Sequence, residues 1–232
     1  MIVHVNQPRF LPALNYFQRM VLADTFIYRD DVQFQPKCWE NRNKIKTKSG
    51  WMWLSVPIRN CPVGTNIREA RIDHSLPWAR KMLSAICCNY GRAPHFEEWF
   101  PRFENVLNHR FEHLVSLNWC LIDLFLAAWK IDCNFVRASE LECEGDTDAI
   151  LIAMLQKIGA GVYLSGSEGR NYNRPEEWKK AGIELRYHDY EPASYPQQFG
   201  EFVPWMSAID LLMNCGADGR GVLIDITPAR AA

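Results

Sequence analysis

The chain has 232 residues, 48% of them hydrophobic, and its 27 acidic residues almost balance 26 basic ones. This length predicts a single domain over residues 1–232, and the apolar content is ample for its core. The formal net charge of −1 argues against a strongly basic nucleic-acid-binding surface. One local cluster of cations is the exception, and we expect either a binding patch or a solvated loop there: Lys37, Arg42, Lys44, Lys46 and Lys48.

No secretory signal, membrane span or disulfide framework is expected. Met1 leads directly into a short strand, and no run of about 18 apolar residues occurs. The eight cysteines include no CxxC pair, and several lie in apolar helical runs. This pattern predicts buried free thiols in a cytoplasmic protein.

The first part of the chain predicts a strand–helix–strand unit. A strand over Ile2–Asn6 is followed by a helix to about Leu22 and a second strand over Thr25–Arg29. A connection of this length makes the two strands parallel. Residues 30–50 then predict an irregular segment, rich in Asn, Lys and Gln.

The middle of the chain is predicted to be mostly helical. A strand over residues 51–56 carries Trp51 and Trp53, for which we expect core packing, with lining of a pocket as the alternative. Another short strand is expected over Ile67–Ile72. Three helices follow, over Leu76–Tyr90, Pro94–Asn108 and residues 114–128.

An alternation of strands and helices resumes after this helical region. Strands are predicted over Asn134–Arg137, Val162–Leu164 and Ile183–Tyr187, and helices over Asp146–Ile158, Arg174–Ala181 and Met206–Asn214. Two strand–helix halves separated by residues 32–130 predict an α/β fold. Its sheet would be open, Rossmann-like and mostly parallel, with a mixed, largely helical insertion or subdomain.

Polar residues gather just past the predicted strand ends. Ligands bind at that edge of open α/β sheets, so these residues predict a site: Asn6, Gln7, Asp30, Asp31, Gln33, Ser165, Gly166, His188 and Asp189. The adjacent Asp30 and Asp31 point opposite ways in extended chain, so one of them is expected to enter the site. That carboxylate would act as a general base or bind Mg²⁺, and a turn-forming pair is the alternative.

Two further segments could bind anions. The turn after the strand at Val162–Leu164, Ser165 to Gly169, would cradle a phosphate through its N–H groups or be a simple surface turn. Arg42, Lys44 and Lys46 would bind phosphate or carboxylate. No resident metal is predicted, since His109 and His113 have helical ligand spacing but no accompanying carboxylate.

The ordered motifs of the chain resemble the WbqC-like proteins. The matching stretches are Gln7-Pro8-x-x-Leu11-Pro12-x-x-x-Tyr16-Phe17, Asp30-Asp31-Val32-Gln33-Phe34, Asn41-Arg42-Asn43-x-Ile45-Lys46, Tyr163-Leu164-Ser165-Gly166 and Ser207-Ala208-Ile209-Asp210-Leu211-Leu212-x-Asn214. Where that family usually has Trp-Leu-Gly before Tyr-Phe, this chain has Ala13-Leu14-Asn15. The resemblance implies an acyl or aminoacyl transferase in surface-polysaccharide or natural-product biosynthesis. It would form an amide on an amino-group acceptor such as an amino sugar, and glycine is one candidate for the group transferred.

Combined with the strand-end residues, the resemblance gives a set of expected site residues. Asp31 or Asp30 would be the base, with Gln7 as a catalytic hydrogen-bond donor, and the substrate would contact Tyr16, Gln33, Arg42, Asn43, Lys46, Ser165, Gly166, Asp210 and Asn214. The substrate would be a small molecule, such as a nucleotide-linked amino sugar, or aminoacyl-tRNA. Alternatives are an adenylate-forming enzyme using ATP with Mg²⁺ and a non-catalytic binding protein. The middle helices could form a homodimer interface.

Overall fold

The fold is centred on one open, mostly parallel sheet. In the computed structural model, which describes residues 1–224 and 230–231, the strand order is β5-β2-β1-β6-β7-β8. The strands are β1 (Ile2–Asn6), β2 (Thr25–Tyr28), β5 (Asn134–Arg137), β6 (Val162–Gly166), β7 (Glu184–His188) and β8 (Arg230–Ala231). Five strands run parallel and β8 pairs antiparallel to β7. The predicted α/β class with a Rossmann-like sheet is therefore confirmed.

The order of the strands places a switch point at the centre of the sheet. From β1 the chain adds β2 and β5 on one side, then returns to add β6 and β7 on the other. The two halves of the sheet therefore separate at the boundary between β1 and β6. In open α/β sheets a crevice forms outside the carboxyl ends of the two strands at this boundary.

Helices cover both faces of the sheet. They are α1 (Leu14–Leu22), α2 (Trp78–Tyr90), α3 (Phe96–Asn108), α4 (Leu114–Trp129), α5 (Ala138–Leu141), α6 (Thr147–Lys157), α7 (Pro175–Lys180), α8 (Ala208–Cys215) and α9 (Arg220–Ile224). On one face, Phe17 of α1 packs against Phe125 and Trp129 of α4. On the other face, Tyr163 of β6 stacks on Trp178 of α7, with ring centroids 4.5 Å apart. The short helices α5 and α9 were not predicted.

The insertion between β2 and β5 contains helices α2 to α4 and an antiparallel hairpin of β3 (Arg42–Thr47) and β4 (Gly50–Ser55). The prediction of an irregular segment over residues 30–50 is therefore wrong for its second half. Asn43 and Ile45 face inward on β3, and the buried amide of Asn43 interrupts the apolar alternation that marks a strand. The strand predicted over Ile67–Ile72 is also wrong, because Ile67–Glu69 forms a 3-10 helix that begins after Asn66.

All eight cysteines are free thiols, as predicted, but they are not buried. Six are half-buried, and Cys87 and Cys88 are exposed on α2. These two lie on the outer side of a helix whose other side packs on the core through residues such as Ile86 and Tyr90. Trp51 and Trp53 do not pack in the core as expected, since Trp51 is exposed and Trp53 is half-buried. Within the described residues, no helix has the length and hydropathy to cross a membrane.

Candidate functional site

A cavity opens at the switch point, where β1 and β6 stop pairing. Their register includes Ile2 with Val162 and Val3 with Tyr163, and no described pair lies beyond Val3. Past that point the Nδ1 atom of His4 lies 2.6 Å from the carbonyl oxygen of Leu164 and donates to it. The cavity has a volume of about 330 Å³ and is bordered by the loop after β1, by α1 and by the turn after β6.

Arg19 brings a buried positive charge to this cavity. Its side chain comes from α1 and is only 9% exposed. A Cβ atom on Gly166 would lie 2.8 Å from its Nη2 atom, so a larger residue at the end of β6 would have to displace the guanidinium. Burial, and then the charge of Arg9, lower the pKa of Arg19 to about 10, which leaves it protonated at neutral pH.

Arg19 and Arg9 both border the cavity, and neither has a carboxylate partner among the described residues. The Nε atoms of both guanidiniums also lack a hydrogen-bond partner there. Glu168 lies on the rim, where it accepts a hydrogen bond from Asn171. A buried cation without a counter-charge is costly, so the pair of arginines forms a site suited to an anion such as phosphate or carboxylate.

Two buried histidines lie on the same side of the sheet as Arg19. Because His4 donates through Nδ1, its Nε2 atom is the acceptor for the Nδ2 amide of Asn6, at 3.3 Å. His188 is 1% exposed and pairs with Gly166 in the register of β6 and β7, so both side-chain positions face the same way. Neither ring nitrogen of His188 has a hydrogen-bond partner in the described part of the chain.

Both histidines are held in the neutral form. Burial first, and the charge of Arg19 next, lower the pKa of His188 to about 4. The same two causes, in the same order, hold the pKa of His4 well below its ordinary value. A neutral imidazole can accept a proton or a hydrogen bond, so this crevice combines an anion site with bases that are uncharged at neutral pH.

Asn6, Gln7, Asn43 and Gly166 are predicted site residues that line the switch-point cavity or the one beside it. Gln7 borders an adjoining cavity of about 500 Å³, which shares Asn6 and Arg9 with the first. Asn43 and Gly166 border the 330 Å³ cavity.

Asn43 and Tyr16 also shape the loop that follows β1. The Nδ2 amide of Asn43 donates to the carbonyl oxygen of Leu11 at 2.7 Å, and the Tyr16 hydroxyl donates to that of Gln7 at 3.1 Å. Leu11 has a φ of +40°, which a leucine rarely adopts, so the loop needs such external bonds to hold its shape. These two predicted residues thereby position Arg9, which lies on the same loop.

Asp30 and Asp31 point to different surroundings. The two Asp30 oxygens accept hydrogen bonds from the backbone N–H and the hydroxyl of Ser139, at 3.1 and 2.9 Å, and thereby fix the start of α5. Asp31 accepts from the Nε atom of Arg29 at 2.6 Å, and Arg29 borders the 500 Å³ cavity. Neither Asp30 nor Asp31 lines either of these cavities, Asp31 is connected to one only through Arg29, and its role as a base stays a prediction.

Three predicted substrate-binding residues form a separate polar cluster in the interior. Asp210 is buried and accepts from the Tyr90 hydroxyl at 2.7 Å, and burial raises the pKa of its carboxyl. The Lys46 ammonium donates to the carbonyl oxygens of Gly200 and Glu201. Asn214 donates to the Asp210 carbonyl oxygen at 2.8 Å. None of the three borders the cavities at the switch point.

The remaining predicted residues lie away from Arg9 and Arg19 or form hydrogen bonds that hold the local backbone in shape. The Ser165 hydroxyl is buried and accepts from the Asn173 amide at 3.1 Å, which shapes the turn that carries Gly166. Gln33 is exposed. Arg42 stacks on Trp53, with its guanidinium carbon 4.2 Å from the ring centroid. His109 follows the last residue of α3 and His113 precedes the first residue of α4, so the two histidines do not share a helix.

Four side chains define the crevice chemically, and only His188 was among the predicted strand-end residues, without an assigned role; Arg9, Arg19 and His4 were not predicted. Arg9 stands in the loop directly after β1, and His188 at the end of β7, so strand-end position was a signal for both. Arg19 carries no such signal. It lies inside an apolar helix, and only the packing of α1 against Gly166 brings its guanidinium to the sheet edge.

Comparison with known proteins identifies a family but no activity. The chain is 30% identical over 226 residues to "Uncharacterized protein Rv1507c" of Mycobacterium tuberculosis (strain ATCC 25618 / H37Rv), which covers 95% of this chain and 96% of the relative. No solved structure gives a significant match. The model of the WbqC-like protein family matches residues 7–221, from the loop after β1 to the start of α9. Because this match covers most of the chain, the chain belongs to the WbqC-like protein family.

Proposed function

We propose that this protein is an acyl or aminoacyl transferase that forms an amide bond on an amino-group acceptor. The observation that carries the proposal is the buried guanidinium of Arg19, which faces the switch-point cavity beside Arg9 without a counter-charge among the described residues. A substrate phosphate or carboxylate would supply that charge. Sugar nucleotides and aminoacyl-tRNA both carry such groups, which is consistent with an amino sugar as acceptor.

The neutral histidines support a role in proton transfer. In amide formation the nitrogen of the acceptor attacks the acyl carbon, a C–N bond forms, and the C–O bond to the donor breaks. The nitrogen gives up a proton, which a base takes and then passes to the departing oxygen. His4 borders the cavity, and its unprotonated Nε2 atom would take that proton once the Asn6 amide that donates to it moves away.

Anion binding would also improve this base. The charge of Arg19 lowers the pKa of both His4 and His188, so an anion bound to Arg19 offsets that charge and lets the two pKa values rise. A base whose pKa lies closer to the working pH accepts a proton more readily in the transition state. The substrate anion would therefore prepare the site for the transfer.

Arg19→Met tests the function, with Arg80→Met, an exposed arginine on α2, as the matched control. Each protein is incubated with nucleotide-linked amino sugars and with acyl donors that include aminoacyl-tRNA, and amide products are sought by mass spectrometry. We expect a product with the wild type and the control, and none with Arg19→Met. Binding of an amino-sugar nucleotide that depends on Arg19, but with no product from any donor, would identify a binding protein instead.

A further inference from the structure

Three tryptophans and two cations share the outer face of the β3–β4 hairpin. Lys44 lies opposite Trp53 in the antiparallel register, and Arg42 and Trp51 lie two residues along on the same side. Trp39 joins this group, with its ring centroid 5.6 Å from that of Trp53. Trp51 is 48% exposed and Trp39 is 38% exposed, which is unusual for the largest apolar side chain. We call these five residues the tryptophan face.

Positive charge is interleaved with the rings on this face. The Lys44 ammonium lies 4.8 Å from the ring centroid of Trp51, and the Arg42 guanidinium carbon lies 4.2 Å from that of Trp53. Lys48 is exposed in the hairpin turn. Among the residues that the structure describes, none of these three cations makes an ion pair. The face is therefore complementary to a ligand that has both flat rings and negative charge.

The tryptophan face is continuous with the switch-point cavity. Trp39 belongs to both, and Trp205, which is 45% exposed, stands on the cavity rim with it. A ligand stacked along the hairpin can therefore place one end beside Arg9 and Arg19. This continuity connects the face to the site of the proposed transfer rather than to an unrelated surface.

We propose that the tryptophan face binds the single-stranded end of an RNA whose terminal acyl group reaches the cavity. This inference rests on the proposed function and names its donor as an aminoacylated RNA. Bases stack on aromatic side chains whatever their sequence, and cations beside the rings bind the intervening phosphates. A mononucleotide has one base to stack, whereas Trp51, Trp53 and Trp39 offer a succession of rings that leads to the cavity.

Fluorescence anisotropy with a short, labelled, single-stranded RNA tests the proposal on the full chain. The variants are Trp51→Ala and Lys44→Met, and the matched controls are Leu76→Ala and Lys81→Met, which change exposed residues outside the face. We expect Trp51→Ala to weaken binding about 5- to 150-fold, as the loss of one stacked base does. Lys44→Met should weaken binding and reduce the slope of log affinity against log salt by roughly 0.7. Both controls should bind as the wild type does.

Competition with other ligands tests whether the tryptophan face binds single-stranded RNA rather than duplex RNA or a carbohydrate. A blunt RNA duplex, whose bases are already stacked on each other, and a neutral oligosaccharide should both compete poorly. The inference is overturned if the RNA does not bind, if Trp51→Ala binds it as the wild type does, or if the oligosaccharide displaces it. Urea unfolding of each variant separates loss of binding from loss of the fold. Amide formation from a small acyl donor that depends on Arg19, without RNA binding, would overturn this inference and leave the proposed function standing.

Discussion

Replacing Arg19 by methionine should stabilise the free protein while abolishing anion binding. Methionine has a similar unbranched stem and fills the same apolar path from α1 without a charge. The pKa of Arg19 falls from its ordinary value to about 10, mainly through burial. Since each tenfold change in acidity corresponds to about 1.4 kcal/mol, keeping the guanidinium charged there costs roughly 3 kcal/mol. Part of that cost is recovered in the variant, and we expect it to be more stable by about 1–3 kcal/mol.

Urea unfolding with and without sulfate measures both effects. Without sulfate, the midpoint for Arg19→Met should lie above that of the wild type, with an unchanged slope. Sulfate at about 100 times its dissociation constant should stabilise the wild type by roughly 2.7 kcal/mol and leave the variant unaffected. Arg80→Met should respond to sulfate as the wild type does. If Arg19→Met is instead less stable than the wild type without sulfate, other groups of the protein already stabilise the charge of Arg19. The argument for an anion site then fails.

Four further predictions test the site. Gly166→Ala places a Cβ atom against the Arg19 guanidinium. Sulfate affinity measured by calorimetry should therefore fall about 10- to 100-fold, while the free energy of unfolding changes by no more than about 1 kcal/mol. An unchanged sulfate affinity would contradict the close approach of Arg19 to Gly166. Sulfate affinity should rise as the pH falls from 7 to 5, because bound anion offsets the charge of Arg19 and so raises the low pKa of His188. Binding then takes up a proton, and a pH-independent affinity would contradict this coupling. Without sulfate, His188 should lower the free energy of unfolding as the pH drops from about 6.5 towards 4, because its imidazole takes up a proton in the unfolded chain before it does so in the folded protein. A His188→Asn variant should lack this contribution to the pH dependence of stability. Asp30→Asn should lower the free energy of unfolding in urea by about 1–3 kcal/mol, because an amide cannot accept both hydrogen bonds from Ser139. Sulfate affinity should not change in this variant, and a loss of affinity would place Asp30 in the anion site.

The sequence predicts the sheet and its site-bearing edge because those depend on local patterns. Apolar runs mark β1, β2 and β6, and the length of each connection makes them parallel. The same rule identifies Gln7 and Gly166 as edge residues, and both border a cavity. The polar strand β3 escaped prediction because Asn43 occupies an inward position, where two backbone carbonyls satisfy its amide.

The identity of the buried cation could not be predicted, because it depends on packing between distant segments. Arg19 looks like any exposed helical arginine until α1 is laid against the turn at Gly166, 147 residues further along the chain. Lys46 shows the reverse case. It belongs to a basic run that predicts an anion site, yet the carbonyl oxygens of Gly200 and Glu201 enclose its ammonium in the interior.

The junction of β1 with β6 also has a consequence for synthesis on the ribosome. His4 donates to Leu164 across 160 residues, so the first strand to emerge lacks a central neighbour until most of the chain has been made. At typical translation rates of about 5–20 residues per second, that interval lasts roughly 10–30 s. During this interval β1 can pair with β2, but its other edge is unpaired. Arg9 and Arg19 also lack the turn at Gly166, which borders the cavity in the complete fold. A nascent chain that ends before Gly166 would thus hold the first half of the sheet and no anion site.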